Sequence, residues 1–342
     1  MRRFLTKLAI HMGLVVTVLG LSLWLIPQEK LGTATFLFSL RDKHKLLEDS
    51  ESPRLIFVGG SNLSFGLDSE RIARECQTTV INMGIHGGLG LRYMLNDLRP
   101  FIRENDTILI VPEYDQFVRA ARHANGQREL VCVLFDVYPE GKARVPLSQW
   151  THLSKLIPTY AARKLLLGIK RGITAALGKP GRTDFGVYDR KAFNEYGDVV
   201  RHWDQAKVQF PPHGVKGDID HDAVAFLNSF VGFLESKKAR ACFLYPSFDA
   251  TSYDQSRHFI ESLDQTLRDA LRFPILSKPD RYAFSSDLFF NTSYHLTKAG
   301  VDIRTERVID DLHHIGVCTS RCLEDGYQDL DGLQLICERT SR

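Results

Sequence analysis

The sequence predicts an α/β fold preceded by a single N-terminal transmembrane helix. Three observations lead to this prediction: an apolar run near the N-terminus, a later alternation of short apolar strands with helical patterns, and a globular composition. Of the 342 residues, 44% are hydrophobic and 25% are charged, which allows a sizeable core. The net charge of +3 is too small to indicate nucleic-acid binding, so no nucleic-acid partner is expected.

The N-terminal segment has the length and composition of a membrane anchor. Residues 8–26 are apolar apart from His11 and a few small polar residues, and roughly 20 such residues are needed to cross a bilayer. Arg2, Arg3 and Lys7 precede the run, which places the rest of the chain outside the cytoplasm. A cleaved signal peptide is the alternative, although its apolar region usually has only about 7–15 residues, followed by a cleavage site. We therefore expect residues 1–27 to anchor the protein by a single pass.

The rest of the chain predicts a parallel sheet. Residues 28–53 are expected to form a stalk, with charged residues concentrated in 41–51. From residue 54 to residue 316, short apolar runs alternate with helical patterns, which indicates a three-layer α/β/α domain with helices on both faces of the sheet. The predicted strands are 54–60, 78–84, 107–112, 239–245 and a weaker one near 282–285. The predicted helices are 68–76, with Asp68 as N-cap, 89–103, 223–238, 254–272 and 297–313.

A largely helical insertion interrupts this alternation at about residues 117–220. Its most regular part is a basic helix at residues 160–177, for which two interpretations stay open. It lies on the membrane surface, or it packs against the domain by its apolar face. A second stretch, 193–203, concentrates polar and aromatic groups, as a binding site or a hydrogen-bonded loop does. Asn194, Asp198 and His202 are accordingly candidates for substrate binding.

The six cysteines predict one disulfide and two buried thiols. Cys318, Cys322 and Cys337 lie in a polar C-terminal tail, residues 317–342, and a disulfide between Cys337 and one of the other two is expected outside the cytoplasm. Cys132 and Cys242 lie in apolar runs and are expected to be buried. A zinc site using His313 or His314 would match no standard spacing, so no metal is expected.

Two motifs at opposite ends of the α/β pattern carry the candidate chemistry. Ser61 follows the first apolar strand in a turn with Gly59 and Gly60, where backbone N–H groups can stabilise an oxyanion. His295 precedes the last helical pattern. Because both follow strands of one parallel sheet, they are predicted to meet at its carboxyl edge as nucleophile and base. Taken singly, each motif also fits a turn that caps a helix.

These motifs resemble those of the SGNH (GDSL-like) hydrolase superfamily, in particular its membrane-anchored branch acting on bacterial surface polysaccharides. The resemblance covers residues 54–312 without most of the insertion. The first block of the family matches residues 59–62, its glycine block matches 82–84 and continues through 90, and its histidine block matches 291–300. The resemblance implies a flavodoxin-like parallel sheet, with Ser61 as nucleophile, His295 as base and the N–H groups of Ser61 and Gly84 as oxyanion donors.

Two departures from the family pattern affect the candidate site. The oxyanion asparagine of the third block is absent, because the chain reads Glu113 and Tyr114 there. Asn62 or Tyr114 is the expected replacement, and Glu113 and His86 join the substrate-binding candidates.

The second departure concerns the partner of the histidine. Asn291 stands where the family has an aspartate, and an amide orients an imidazole but does not stabilise an imidazolium. In a serine triad, such an Asp-to-Asn change lowers turnover by about 10⁴. Asp287 is the alternative carboxylate.

The resemblance implies an enzyme on the periplasmic side of the inner membrane. It would be an acyl esterase, often for acetyl groups, or an acyltransferase acting on exported or cell-surface polysaccharide, and it would need no metal or organic cofactor. The alternative is a catalytically impaired SGNH-shaped module that binds glycan or assists a membrane-bound O-acyltransferase. Asn291 and the missing third-block asparagine favour this alternative, whereas the retained Ser61 and His295 favour catalysis.

Overall fold

A four-stranded parallel sheet is the centre of the fold in the computed structural model, which describes residues 1–31, 35–119, 126–145, 150, 153–179 and 184–318. Its strands are β1 (Arg54–Gly59), β2 (Thr79–Asn82), β3 (Thr107–Val111) and β4 (Arg240–Phe243), in the order β2-β1-β3-β4. Every residue of β1 and β3 is buried. A sheet covered on both faces requires such continuous apolar strands, and the first four predicted strands are confirmed.

The order of the strands determines which helices share a face. In chain order the helices are α1 (Arg2–Leu25), α2 (Gln28–Leu31), α3 (Ser39–Asp49), α4 (Ser61–Ser64), α5 (Ser69–Cys76), α6 (Leu91–Leu98), α7 (Arg128–Val137), α8 (Ile157–Ala176), α9 (His221–Ser236), α10 (Ala250–Ala270) and α11 (Lys298–His314). The chain moves one way from β1 to β2 and the other way from β2 to β3. Right-handed crossovers then place α5 on one face and α6 and α9 on the other. The reversal between β1 and β3 is where sheets of this kind bind ligands.

The fifth predicted strand is present, but its expected place in the main sheet was wrong. Its residues form β6 (Ala283–Phe284), which pairs with β5 (Phe248–Asp249) in a separate two-stranded sheet. Tyr282, just before β6, is fully buried and donates a hydrogen bond of 2.6 Å to Asp311 of α11, so it packs under that helix. A further hairpin joins β7 (Phe289–Thr292) to β8 (His295–Leu296).

The predicted stalk is part of the domain. Leu40 and Leu47 of α3 are buried in the main core, and Lys43 donates hydrogen bonds of 2.6 Å to the carbonyl oxygens of Asn82 and Gly197. The charged residues of 41–51 belong to an amphipathic helix, α3, whose buried positions recur every three or four residues. The stalk prediction was therefore wrong.

One disulfide joins two helices that lie far apart in the chain. Cys76 at the end of α5 is bonded to Cys318 beyond α11, because α5 packs against α11. The predicted bond from Cys337 to Cys318 was therefore wrong, and Cys322 and Cys337 lie outside the described residues. Cys132 and Cys242 are buried, as predicted.

The N-terminal helix is the candidate membrane span. Of the described helices, α1 is the one long and apolar enough to cross a membrane, and its side chains are almost all exposed. The predicted basic helix is α8, which lies against the end of α1. One side of α8, with the buried Ala161 and Lys164, packs against α1, α2 and α7, whereas Leu166, Ile169 and Ile173 on the other side are exposed. The helix therefore packs by one side, and its location on the membrane surface stays a prediction.

Candidate active site

A cavity of about 580 Å³ opens at the carboxyl edge of the sheet and contains both candidate catalytic residues. Ser61 follows β1, His86 follows β2, and Asn291 and His295 come from the β7–β8 hairpin. Aromatic side chains form much of the wall, namely Phe36, Phe65, Tyr188, Phe193, Phe210 and Tyr294. Apolar walls with a few convergent polar groups are typical of a small-molecule site.

Ser61 lies in a turn that two glycines make possible. A Cβ at Gly59 would come within 2.2 Å of the Val111 carbonyl oxygen, and a Cβ at Gly60 within 2.3 Å of Glu113 Oε1. The turn therefore brings β1 and the end of β3 closer together than any side chain would allow. Ser61, the first residue of α4, lines the cavity.

The hydroxyl of Ser61 is bonded to Glu113. Ser61 Oγ donates to Glu113 Oε1 over 3.2 Å, and the backbone N–H of Asn62 donates to the same oxygen, also over 3.2 Å. One carboxyl oxygen thus accepts from a nucleophile and from the N–H group next to it, which are two groups that an acyl-transfer site directs at its substrate.

His295 is held in the orientation that a base needs. Its ring stacks on Phe65 with a centroid separation of 4.1 Å, and its Nδ1 lies 2.8 Å from Asn291 Oδ1. Asn291 Nδ2 donates over 2.8 Å to the Tyr188 hydroxyl, and the amide oxygen faces the histidine. With the amide in this orientation, Nδ1 carries the ring proton and Nε2 keeps its lone pair. Burial lowers the pKa of His295 to about 3, so the imidazole is neutral at pH 7.

Backbone bonds join the two motifs, although Ser61 and His295 share no hydrogen bond in this structure. The N–H of Phe65 donates to the Ser61 carbonyl oxygen, and the N–H of Leu296 donates to the Phe65 carbonyl oxygen over 3.2 Å. Phe65 therefore links the segment that carries the serine to the one that carries the histidine. The two candidates face one cavity, but the serine proton is directed at Glu113.

Asp287, the alternative carboxylate, does not take the place of Asn291. It is exposed and lines a separate depression with Lys207. A hydrogen bond with Ser285 lowers the pKa of Asp287. Asp287 precedes β7, whereas Asn291 lies within β7, close to the turn that leads to His295 in β8. Asn291 is therefore the residue that bonds to the histidine.

Three of the four expected oxyanion donors, Gly84, Asn62 and Tyr114, are engaged elsewhere, and the Ser61 N–H stays a prediction. The N–H of Gly84 donates over 2.9 Å to Asn82 Oδ1. Asn62 is wholly buried, and its amide donates to the Val111 carbonyl oxygen while accepting from Arg304. Tyr114, the first residue of a 3₁₀ helix after β3, is directed into the core, away from the cavity. Its ring packs there against Phe248 and Tyr245.

Glu113 and His86, both predicted to bind substrate, have different positions. Glu113 lies behind Ser61 rather than on the cavity wall, since a Cβ at Gly87 would be 2.0 Å from its Oε2. Burial raises the pKa of Glu113, and the nearby Asp115 adds to this effect. His86 lines the cavity, and its Nδ1 accepts from the Gly88 N–H over 2.9 Å. Its Nε2 consequently carries the ring proton.

The other three substrate-binding candidates are structural. Asp198 accepts bonds of 2.7 Å from the N–H and hydroxyl of Ser69 and from the Asn82 amide. Asn194 Oδ1 caps the turn before Asp198, and His202 Nε2 lies 2.9 Å from the Leu296 carbonyl oxygen. They fasten the insertion to β2 and β8, and none lines the cavity. Of the two interpretations that the composition left open, their hydrogen bonds support the hydrogen-bonded loop.

Three residues that position the site had been missed. Tyr188 orients Asn291, Phe65 supports the His295 ring, and the buried Arg304 holds the backbone and amide of Asn62. Arg304 sits on the inner face of α11, where an apolar residue is the normal expectation, and this is the one signal that the sequence offered. Tyr188 lies in the insertion, and no local pattern marks it.

Comparison of the chain with protein-family models and with curated proteins finds no match. Within the described part of the chain, no group of three or more His, Cys, Asp or Glu side chains is placed to hold a metal ion.

Proposed function

We propose that this chain is a membrane-anchored, SGNH-like acyl esterase or acyltransferase that works on the periplasmic side of the inner membrane. One observation carries the proposal: Ser61 and His295 face the same cavity at the carboxyl edge of the sheet, and Asn291 Oδ1 lies 2.8 Å from His295 Nδ1, which suits a tautomer with the Nε2 lone pair as base. The strand order β2-β1-β3-β4 supports it, because flavodoxin-like sheets begin with this order.

The proposed reaction has two stages. Ser61 Oγ attacks the ester carbonyl while its proton passes to His295 Nε2, and His295 then returns the proton to the leaving alcohol. Water resolves the acyl-enzyme in an esterase, and a sugar hydroxyl resolves it in a transferase. The serine hydroxyl must first turn from Glu113 to His295, and catalytic hydrogen bonds often tighten only when substrate is bound.

His295 is a weak base in this arrangement. Burial disfavours its protonated form, and the Asn291 amide offers no negative charge to compensate. We therefore propose slow turnover. The substrate class is an acylated, most often acetylated, exported or cell-surface polysaccharide, for which the aromatic cavity and the membrane anchor are the supporting features.

A fluorophosphonate probe tests the nucleophile on the full chain in detergent. We expect labelling of the wild type and its complete loss in Ser61→Ala. Ser293→Ala is the matched control, since Ser293 lines the same cavity but lies beside the base rather than at the β1 turn. A folded wild type that stays unlabelled next to a labelled control esterase would contradict the proposal.

Asn291→Asp tests the base in the same assay. A carboxylate beside His295 Nδ1 raises the pKa of the histidine and stabilises the imidazolium that forms on attack. We expect faster labelling by at least an order of magnitude, given that the reverse change costs about 10⁴ in a serine triad. Asp287→Asn serves as control and should leave labelling unchanged.

A second candidate function has one observation in its favour. The Ser61 hydroxyl is bonded to Glu113 rather than to His295. This bond would do no harm in a non-catalytic module that binds glycan or assists a membrane-bound O-acyltransferase. For such a module, the wild type and Ser61→Ala would bind acetylated polysaccharide with the same affinity. The probe would label neither protein.

A further inference from the structure

One helix of the insertion exposes an apolar stripe. In α8, Leu166, Ile169 and Ile173 are 67%, 50% and 56% exposed, and Leu177 just after the helix is 67% exposed. These residues are spaced by three or four positions, so they share one side of the helix. A helix on a water-soluble domain normally turns such a stripe towards the core, and α8 turns it outward.

The opposite side of α8 is fixed to the end of α1. Ser22 Oγ donates over 3.0 Å to the carbonyl oxygen of Ala161, and Lys164 Nζ donates over 2.8 Å to that of Leu23. Lys164 is also paired with Asp136 of α7 at 2.7 Å, which connects α8 to the rest of the insertion. The exposed stripe is consequently held beside the last turn of the candidate membrane span.

The charge of α8 is of one sign. Between residues 157 and 177 the chain has four basic residues, Arg163, Lys164, Arg171 and Lys170, and no Asp or Glu. Arg163 and Lys170 are exposed and border the apolar stripe. Long basic side chains in this position lay their methylene groups along an apolar surface and extend their charges to anionic headgroups.

We infer that the stripe of Leu166, Ile169, Ile173 and Leu177 inserts into the interface of the bilayer that α1 spans, with the exposed Arg163 and Lys170 on anionic phospholipid. The membrane is favoured over a protein partner for two reasons. The helix α8 has no acidic residue, and it packs against the end of α1, where Trp24 is 80% exposed. This is the pattern of an interfacial helix. The contact is a second membrane attachment, and it does not depend on the acyl-transfer proposal.

Fluorescence quenching by brominated lipid tests the inference on the full chain. The protein is placed one copy per nanodisc in phosphatidylcholine and phosphatidylglycerol, with or without bromine on the acyl chains. Ile173→Trp adds emission at the stripe. Ile303→Trp is the matched control, because Ile303 is an exposed isoleucine of α11. Both spectra are read as differences from the parent chain, which removes the contribution of the three native tryptophans.

We expect bromine to quench the emission added by Ile173→Trp and to leave the emission added by Ile303→Trp unchanged. Replacing phosphatidylglycerol by phosphatidylcholine should weaken the quenching at position 173. Equal insensitivity of the two variants would overturn the inference. Blue-shifted but unquenched emission from Ile173→Trp would also overturn it, because the stripe would then be covered by protein.

Discussion

Glu113 and Asp198 are both buried carboxyl groups at the carboxyl edge of the sheet, and burial raises the pKa of each. Asp198 accepts three bonds of 2.7 Å and lies near the Lys43 ammonium. Glu113 accepts longer bonds of 3.2 Å from Ser61 and Asn62, and its side chain also forms a capping box with Gln116. Short bonds to a buried carboxylate fasten structure, whereas longer bonds beside a candidate nucleophile indicate a functional position.

Asp198→Asn should show the largest effect, because it removes the charge that compensates Lys43. Lys43 is buried, and desolvation lowers its pKa to about 7. The substitution also replaces a carboxylate oxygen, which accepts from Ser69 and Asn82, by an NH₂ group that cannot accept. A hydrogen bond to a charged group is worth roughly 1.5–3 kcal/mol, and we expect a loss of at least that order in the free energy of unfolding, measured with urea. Glu104→Gln is the control, since Glu104 and its partner Lys238 are exposed. A small change in Asp198→Asn would show that its bonds are not what holds the insertion.

His295 extends the comparison to a buried base whose burial is only partly compensated. Its pKa of about 3 lies below the unfolded value of 6.5, so the unfolded chain binds the proton more readily between these values. Stability from this group is fully present above pH 6.5 and is lost as the pH falls towards 3. At 1.36 kcal/mol per pKa unit, the loss between pH 7 and pH 5 is about 2 kcal/mol.

The measurement compares the pH dependence of unfolding in wild type and in His295→Asn. We expect the variant to lose about 2 kcal/mol less between pH 7 and pH 5. His258→Asn, at an exposed position of α10, should keep the wild-type dependence. Identical pH dependence in wild type and His295→Asn would contradict a neutral, buried histidine.

The sequence predicted what depends on periodicity and on residues adjacent in the chain. Continuous apolar runs gave four strands, and Asp68 caps α5 as expected by accepting from the Arg71 N–H. Contacts between distant segments were not predictable in this way. Tyr188 meets Asn291 only because the insertion folds back over the hairpin. Glu113 reaches Ser61 only because glycine at position 60 leaves space for it.

Glu113→Gln completes the comparison with a small but directional effect. The amide keeps the shape of the side chain and can still accept from Ser61 and Asn62, so the free energy of unfolding should change far less than in Asp198→Asn. A charged acceptor holds a hydroxyl about 1 kcal/mol more strongly than a neutral one. The variant should therefore release Ser61 towards His295 and label about five-fold faster with the fluorophosphonate probe.

The pH dependence of labelling tests whether the charge of Glu113 causes the slower labelling of the wild type. Below its raised pKa, Glu113 is neutral and holds the serine hydroxyl weakly, so the advantage of Glu113→Gln should shrink as the pH falls and grow as Glu113 ionises. Asp115 and His213, which are bonded to each other at 2.8 Å, are the neighbouring titratable groups, and Asp115→Asn controls for them. If Glu113→Gln abolished labelling while His295→Asn retained it, Glu113 would be the base that removes the serine proton. Glu113 would then be a catalytic residue, and His295 would only form part of the cavity wall.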